Sequence, residues 1–379
     1  MLPLEGVRVL DLSRVLAGPY ATMVLADLGA DVLKVEHPER GDDTRHWGPP
    51  FAGSESAYFL SINRNKRSIG VDLKTEEGLE RVKGLAAASD VVIENMRRGA
   101  LEKFGLGYEA LRETNPGLVY CSITGFGPGK DQDRPGYDFL VQARGGIMGI
   151  TGFGEPTKVG VAIADIVCGL YAATAILAAL HRRSETGEGA RIEVPLFETQ
   201  LSWLANRAQE YLVSGEDRGR MGNAHPTIVP YQTFDASDKQ IAVAVGNNTQ
   251  FANLCRAIGR EELAEDERYA TNPDRVANRE ELVEILQQEF SKRTADEWVE
   301  EIREAGVPCG PVNALADVFA DEHVLSSGIL RDVDHPAAGM LRMLASPVLM
   351  DGERLPIRHP PPSLGQHTDE VEEEGWIRS

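Results

Sequence analysis

Residues 7–36 have the sequence VRVLDLSRVLAGPYATMVLADLGADVLKVE, and this stretch decides the fold. Val7–Leu12 is a β-branched apolar run, which is typical of a buried strand. Pro19–Leu28 is rich in Ala, Met and Leu and stops at Gly29, which predicts a helix. Asp31–Glu36 has the pattern of a second strand. These neighbouring elements predict a βαβ unit whose two strands are parallel in one sheet.

The alternation of strand and helix patterns continues through the first 200 residues. Thr75 followed by two glutamates predicts that a helix over 75–88 begins here, because acids suit the N-terminal end of the helix dipole. The other predicted elements are strands at Ile69–Leu73, Val91–Glu94, Leu118–Ile123 and Arg191–Val194, and a buried Ala-rich helix over Asp165–Arg183. We therefore expect an α/β fold whose large domain contains a doubly wound parallel sheet.

The sequence pattern changes near residue 215. Residues 214–230 are rich in Gly, Pro and Arg, as in a linker or an active-site loop, and 250–305 are mostly charged helix. We predict a large domain over 1–200, a linker over 201–224 and a smaller α+β domain over 225–325. Because prolines recur after residue 326, we predict that 326–379 is an extended C-terminal segment that returns to the large domain.

The composition of the chain disfavours some classes of binding partner. The chain has 379 residues, 39 Lys plus Arg and 59 Asp plus Glu, for a net charge of −20. A field this acidic disfavours binding to nucleic acid or to an anionic membrane. The sequence shows no apolar run of membrane-spanning length and no secretory leader pattern, so we expect a cytoplasmic protein. Its four cysteines are scattered and its eight histidines show no H-x-x-x-H pair, so we expect reduced thiols and no metal site.

The turn after the first strand does not have a dinucleotide-binding pattern. Residues 13–19, SRVLAGP, contain one glycine, whereas the G-x-G-x-x-G pattern needs three. This disfavours an NAD enzyme, although the carboxyl ends of the strands remain the expected place for a ligand. The G-x-S-x-G pattern of α/β-hydrolases is also absent from the sequence.

Three places in the sequence are candidates for a functional site. Residues 94–98, ENMRR, are basic and end a predicted strand, where such sheets bind ligands. Residues 63–68, NRNKRS, concentrate three cations, which suits a phosphate-bearing cofactor or, on the simpler interpretation, a solvated turn before Ile69–Leu73. Asp165 is a lone acid in an apolar run at the start of a helix. A poorly hydrated carboxylate there is a competent nucleophile toward an activated acyl group. The simpler alternative is an acid that only serves the helix N-terminus.

Eight blocks of sequence, occurring in order, carry a resemblance to a known family. They include NRNKRSIGVDLK, VVIENMRRGALEKFGL, RPGYDFLVQARGG and IADIVCGLYAATAILAAL, and they cover nearly the whole chain. Together they resemble the class III CoA-transferase family. The resemblance implies a homodimer of two ring-like subunits threaded through each other.

The same resemblance implies roles for individual residues. The family's aspartyl nucleophile falls on Asp165, and Tyr137 and Asp138 fall on positions near the acyl group. The implied CoA contacts are Leu16, His37, Asn65, Lys66, Arg67, Leu73, Asn95, Met96 and Lys103.

The implied reaction moves CoA from a donor thioester to an acceptor carboxylic acid. It would pass through an aspartyl anhydride and an aspartyl-CoA thioester, with acyl-CoA as substrate and no permanently bound cofactor. Water must be kept from the anhydride, so a lid is needed, and residues 219–226 are our candidate.

The same fold also hosts 2-methylacyl-CoA racemases, which use the histidine of a G-H-D sequence as a base. Here the sequence is Gly136-Tyr137-Asp138, and a phenol with a pKa of about 10 is a poor base at neutral pH. This favours the transferase and keeps the racemase as the alternative.

The chain also departs from formyl-CoA transferase, which has glutamine where Leu16 stands and a run of four glycines that is absent here. We therefore expect larger acids, with a succinyl-CoA donor and a dicarboxylate acceptor. Arg45, Arg220 and His225 are the candidate partners of the carboxylate.

Overall fold

The structure is a computed structural model that describes residues 1–374 and 376. Its strands are β1 Arg8–Asp11, β2 Asp31–Glu36, β3 Phe51–Ala52, β4 Glu55–Ser56, β5 Lys66–Gly70, β6 Val91–Glu94, β7 Val119–Thr124, β8 Ala190–Pro195, β9 Tyr231–Asp235, β10 Gln240–Ala244, β11 Cys309–Pro311, β12 Leu330–His335, β13 Gly339–Leu344, β14 Leu349–Met350 and β15 Glu353–Arg354.

Its helices are α1 Ala17–Asp27, α2 Ala57–Ile62, α3 Glu76–Ala87, α4 Tyr108–Thr114, α5 Asp138–Arg144, α6 Ile147–Ile150, α7 Ile163–Thr186, α8 Leu196–Trp203, α9 Ala205–Ser214, α10 Asn248–Ala257, α11 Glu262–Glu265, α12 Asn272–Ala277, α13 Arg279–Phe290, α14 Ala295–Glu304, α15 Leu315–Ala320, α16 Glu322–Ser326 and α17 Thr368–Glu374. Short 3-10 helices lie at Asp43–His46, Glu102–Phe104 and Glu267–Tyr269.

Six strands form a parallel sheet in the order β5-β2-β1-β6-β7-β8. The predicted parallel sheet is therefore confirmed. The chain builds the sheet outward from β1 in one direction and then from β6 in the other. The loops that follow β1 and β6 diverge at this switch point, and a crevice opens at the carboxyl ends of these two strands.

The strands β2 and β6 have the predicted bounds, whereas β5 begins three residues before the predicted strand at Ile69. The reason is the fully buried side chain of Lys66, whose ammonium lies 3.3 Å from a carboxylate oxygen of Asp11 in β1. Because the opposite charge allows Lys66 to be buried, the strand includes it. The interpretation of residues 63–68 as a solvated turn is wrong.

Helix α7 has one face in the core of the large sheet, as predicted for the Ala-rich stretch. Its residues Ala164, Cys168, Ala172 and Ile176 are buried there. By length and composition alone α7 would also be long enough to cross a membrane, which is a property that core helices share. Gly169 allows close contact with α1, because a Cβ atom at this position would lie 2.6 Å from the carbonyl oxygen of Ala17.

The chain divides into two compact units. The first comprises 1–147, 159–213 and 322–379, and the second comprises 148–158 and 214–321. The second unit contains the antiparallel sheet β11-β10-β9 and its own apolar core, which includes Phe234, Leu254, Leu286 and Trp298.

Residues 326–374 contain regular structure and lie within the first unit. Strands β12 and β13 pair as an antiparallel hairpin, and α17 occupies part of the stretch that was predicted to be extended. The backbone N–H of His367 donates to the carbonyl of Ser68 at 2.9 Å, and the N–H of Gly70 donates to Thr368 Oγ1 at 3.0 Å. These residues therefore cover the exposed edge of β5.

Candidate active site

A cavity of about 390 Å³ lies at the switch point of the parallel sheet. The loops after β1, β6 and β7 form its walls, and the first turn of α7 contributes Asp165. Of the residues predicted for the site, the cavity brings together Asp165, Tyr137, Leu16, Asn95 and Met96.

Asp165 is the third residue of α7 and is half-buried beside an apolar cluster of side chains. That cluster contains Leu16 and Ile62, with Ile166 packed against it. Within residues 1–374 and 376, no hydrogen bond or ion pair reaches the Asp165 carboxylate. Burial, followed by the negative charge of Asp138, raises the pKa of Asp165 to about 7. The carboxylate is therefore poorly hydrated and reactive when it is ionised.

Asp138 fixes the helix end that carries Asp165. Its Oδ1 accepts a hydrogen bond from the backbone N–H of Ala164 at 2.8 Å, and its Oδ2 accepts one from Gln142 Nε2 at 2.7 Å. Gln142 Oε1 in turn accepts a hydrogen bond from the N–H of Val159 at 2.9 Å. Asp138 does not line the cavity, so its contact with the site is through α7. Tyr137, the residue before it, lines the cavity with an exposed ring.

A second hollow of about 270 Å³ also lies at the carboxyl ends of the strands. The predicted CoA contacts His37 and Leu73 line it, and Met96 lines both hollows. Lys103 is exposed in the short helix Glu102–Phe104 and lines neither of them.

The basic segment 63–68 is occupied by contacts inside the protein. Arg64 and Asn65 both donate to the carboxylate of Asp27. Arg67 pairs with Asp31 at 2.7 Å and with Glu370 at 2.9 Å. Lys66 also donates to the carbonyl of Pro19 at 2.8 Å. None of the predicted contacts Asn65, Lys66 and Arg67 lines either hollow.

Arg45, one predicted partner of the substrate carboxylate, is also buried. Its guanidinium binds both carboxylate oxygens of Glu36 at 2.7 Å, lies 3.2 Å from Glu55 and stacks 3.6 Å above the ring of Phe59. These contacts hold the side chain among internal partners.

The other two predicted carboxylate partners, Arg220 and His225, lie in the second unit. Arg220 donates to the carbonyl of Gly154 at 3.0 Å, and the ring of His225 lies 5.3 Å from that of Tyr231. The N–H of Gly222 donates to the carbonyl of Gly152 at 3.1 Å. The candidate lid 219–226 is therefore joined to the short segment 148–158 of the same unit.

Several cations that line the hollows are not among the predicted CoA contacts or carboxylate partners. Arg14, Arg97, Arg98 and Arg134 line the cavity with Asp165, and Arg40 and Lys74 line the second hollow. In the described part of the chain, the Arg97 side chain has no hydrogen bond or ion pair, so it is available to an anion. The sequence indicates the segment that contains Arg97, because residues 94–98 end a strand where ligands bind, but it assigns no contact to this side chain.

Tyr58 was also missed, and nothing in its local sequence marks it. Burial and the nearby Asp165 carboxylate raise the pKa of Tyr58 to about 12, so it is a neutral phenol beside the site. Among the described residues that line the cavity there is no histidine, and no group of three or more His, Cys, Asp or Glu side chains in the described part of the chain could hold a metal ion.

Comparison with known proteins shows strong similarity over almost the full length. The sequence pattern of the family described as "CoA-transferase family III" matches residues 4–368. A succinyl-CoA:glutarate CoA-transferase of Homo sapiens is 46% identical over 372 residues, which are 97% of this chain and 85% of the relative. A succinate–glutarate CoA-transferase of Agrobacterium fabrum is 46% identical over 378 residues, with 97% and 94% covered. The crystal structure of a CAIB/BAIF family protein from Brucella suis has a TM-score of 0.88 at 47% identity and covers 98% of this chain and 99% of that one.

Proposed function

The chain belongs to CoA-transferase family III, and from this membership we propose that it moves CoA between succinyl-CoA and a second dicarboxylic acid. The observation that carries the proposal is the position of Asp165 in the cavity at the switch point, where its carboxylate has no hydrogen bond or ion pair with any described residue. Relatives at 46% identity are named for succinyl-CoA and glutarate, which makes glutarate the first acceptor to test.

The chemistry begins with attack of the Asp165 carboxylate on the succinyl thioester carbonyl. The C–S bond breaks, and a mixed anhydride and the CoA thiolate form. The thiolate then attacks the aspartyl carbonyl, which releases succinate and leaves an aspartyl-CoA thioester. The acceptor carboxylate attacks this thioester and expels the thiolate. Finally, the thiolate takes the new acyl group and frees Asp165, so no metal or redox cofactor is needed.

The residues around the cavity support these steps. The loops after β1 and β6 offer Leu16, Asn95 and Met96 to the pantetheine arm, and Arg97 offers a free guanidinium to a phosphate. Arg14 and Arg134 line the cavity as well and suit the second carboxylate of a dicarboxylic acid. Arg220 and His225 remain proposals for the same carboxylate. We also propose a cytoplasmic homodimer.

The test of the nucleophile is Asp165→Ala, with Asp165→Asn as the isosteric variant. We expect both variants to bind CoA in calorimetry and to form no glutaryl-CoA from succinyl-CoA and glutarate, as read by mass spectrometry. Hydroxylamine added to the wild-type enzyme during turnover should modify the tryptic peptide 159–182. Normal turnover by Asp165→Ala would contradict the assignment.

A separate measurement tests the alternative racemase. A 2-methylacyl-CoA incubated with the enzyme in D₂O should keep its α-proton, because the described residues that line the cavity include no histidine to serve as base. Deuterium exchange without an acceptor acid would favour the racemase over the transferase.

A further inference from the structure

The loop Ser13–Leu16 follows β1 at the switch point, and its residues Val15 and Leu16 line the cavity that contains Asp165. Val15 has a φ of 69°, in the left-handed region of backbone conformation. A β-branched residue rarely adopts this region, because its branched side chain is crowded by the backbone. The loop therefore needs contacts that hold it against this strain.

A buried ion pair supplies two of these contacts. Lys34 Nζ lies 2.8 Å from Asp42 Oδ2, and both side chains are almost completely inaccessible to solvent. The carboxylate of Asp42 accepts a hydrogen bond from the N–H of Val15, at 3.2 Å to Oδ2. Lys34 donates to the carbonyl of Ser13 at 2.9 Å. The pair thus holds the loop on both sides of Arg14.

The ion pair of Lys34 and Asp42 stays ionised because each charge stabilises the other. Burial opposes ionisation of Asp42, but the Lys34 charge and the hydrogen bonds from Thr44 hold the pKa of Asp42 at about 2. The pKa of Lys34 is raised despite its burial, because Asp42 and Asp11 lie close to it. Both groups therefore remain charged at neutral pH.

A third contact comes from the loop after β6. Asn95 Oδ1 accepts a hydrogen bond from the N–H of Arg14 at 2.8 Å, and Asn95 Nδ2 donates to the carbonyl of Arg14 at 2.7 Å. The backbone of three successive residues is thus anchored. Of these hydrogen bonds, the one from Val15 to Asp42 is made by the strained residue itself, whose side chain also packs against the apolar cluster of Leu16 and Ile62.

We propose that Asp42 is a positioning residue of the transferase, which holds Val15 in its left-handed conformation and thereby shapes the wall of the acyl-CoA cavity. The inference rests on the proposed function, because the cavity is the one that contains Asp165. Without the bond, Val15 relaxes to a negative φ. The peptide group between Val15 and Leu16 then rotates, and the wall beside Asp165 moves.

The first variant to measure is Asp42→Leu, which keeps the approximate shape of the side chain and has no atom that can accept the hydrogen bond from Val15. We expect kcat/KM for succinyl-CoA to fall by roughly tenfold or more. Adding Val15→Gly to this variant should restore most of the loss, because glycine adopts a positive φ without strain. Val15→Gly alone completes the double-mutant cycle. The control is Asp90→Asn, which removes an ion pair with Arg183 near the amino-terminal ends of the strands. This variant should leave kcat/KM unchanged.

Each outcome decides the question. Wild-type kcat/KM in Asp42→Leu, or a folded double variant without recovery, would overturn the inference. If Asp42→Leu does not fold, Val15→Pro decides, because proline removes the N–H and forbids a positive φ while the ion pair stays intact. Wild-type kinetics in Val15→Pro would also overturn it.

A wild-type enzyme that transfers CoA to no acid would contradict the proposed function and leave this inference testable. The dissociation constant of CoA, measured by calorimetry, should then rise in Asp42→Leu and recover with Val15→Gly. An unchanged dissociation constant would overturn the role of Asp42.

Discussion

The carboxyl group of Asp165 must be ionised to attack a thioester, and its surroundings work against ionisation. Burial and Asp138 raise its pKa to about 7, from an ordinary value of 3.8. The ionised form is therefore reactive but is fully populated only above neutral pH. The same shift means that Asp165 favours the folded state at low pH and that this contribution is lost as the pH rises through about 7.

The pH dependence of the rate follows from this raised pKa. We expect kcat/KM for succinyl-CoA to be constant above neutral pH and to fall about tenfold per pH unit on the acid side. Steady-state kinetics between about pH 5 and pH 9 will check this expectation. A profile that stays flat across the acid side would contradict it.

Asp138→Asn separates the charge of Asp138 from its hydrogen bond. An asparagine oxygen can still accept from the N–H of Ala164, whereas the repulsion of Asp165 disappears. The acid limb of the profile should move to lower pH in this variant. A limb that stays in place or moves to higher pH would show that Asp138 does not tune Asp165.

The ion pairs of residues 63–68 show what could not be predicted from the sequence. The sequence shows three cations in 63–68 but does not show that Asp11, Asp27 and Asp31 neutralise them. These partners are 36 to 55 positions away along the chain. A cluster of cations near a strand thus predicts a phosphate site only when no carboxylates face it, and the fold alone reveals whether they do.

At the scale of elements, the contact between α1 and α7 connects the core to the cavity. Gly169 of α7 faces the first turn of α1, and Ala17 of that turn lines the cavity. A larger residue at 169 would push the two helices apart at the backbone, where no side chain can move aside. The N-terminus of α1 would then shift at the site.

Gly169→Ala should therefore destabilise the protein by about 1–3 kcal/mol and lower kcat/KM, because overpacking strains a buried contact. Gly84→Ala in the exposed part of α3 is the control. A Cβ atom at Gly84 has nothing within 4 Å, and alanine should stabilise that helix by about 0.5–1 kcal/mol. Thermal unfolding measures both changes, and equal effects at the two positions would refute the argument.

The sequence predicts these elements well where local patterns determine them. The apolar runs at β2 and β6 have the observed bounds, and Thr75 caps α3 as its acidic first turn indicates. Prediction from sequence fails where contacts with residues distant along the chain determine the structure. The hairpin β12–β13 lies in a proline-containing segment, and α17 is held by residues of β5 and α3, so a local pattern could not predict either.

At the scale of the molecule, the exposed apolar side chains are consistent with the proposed homodimer. Leu212 and Val213 at the end of α9 are 73% and 78% exposed, and Tyr211 beside them is 54% exposed. Apolar residues exposed in a row often mark an interface between proteins.

We expect sedimentation to give the mass of a dimer. If its subunits are threaded rings, as the family resemblance implies, the dimer should not dissociate on dilution. Tagged and untagged dimers, when mixed, should exchange no subunits, and they should form mixed dimers after joint unfolding and refolding. A monomer at all concentrations would rule out the dimer, and rapid exchange would rule out the threading.

The closure of β5 by the end of the chain also affects biosynthesis. Ser68 and His367 bond to each other although they are 299 positions apart, so the ribosome makes the strand long before it makes the cover. During that interval the nascent sheet has a bare edge, which other extended chains can join. Premature termination would make this interval permanent, and the shortened products would be candidates for aggregation and for capture by chaperones.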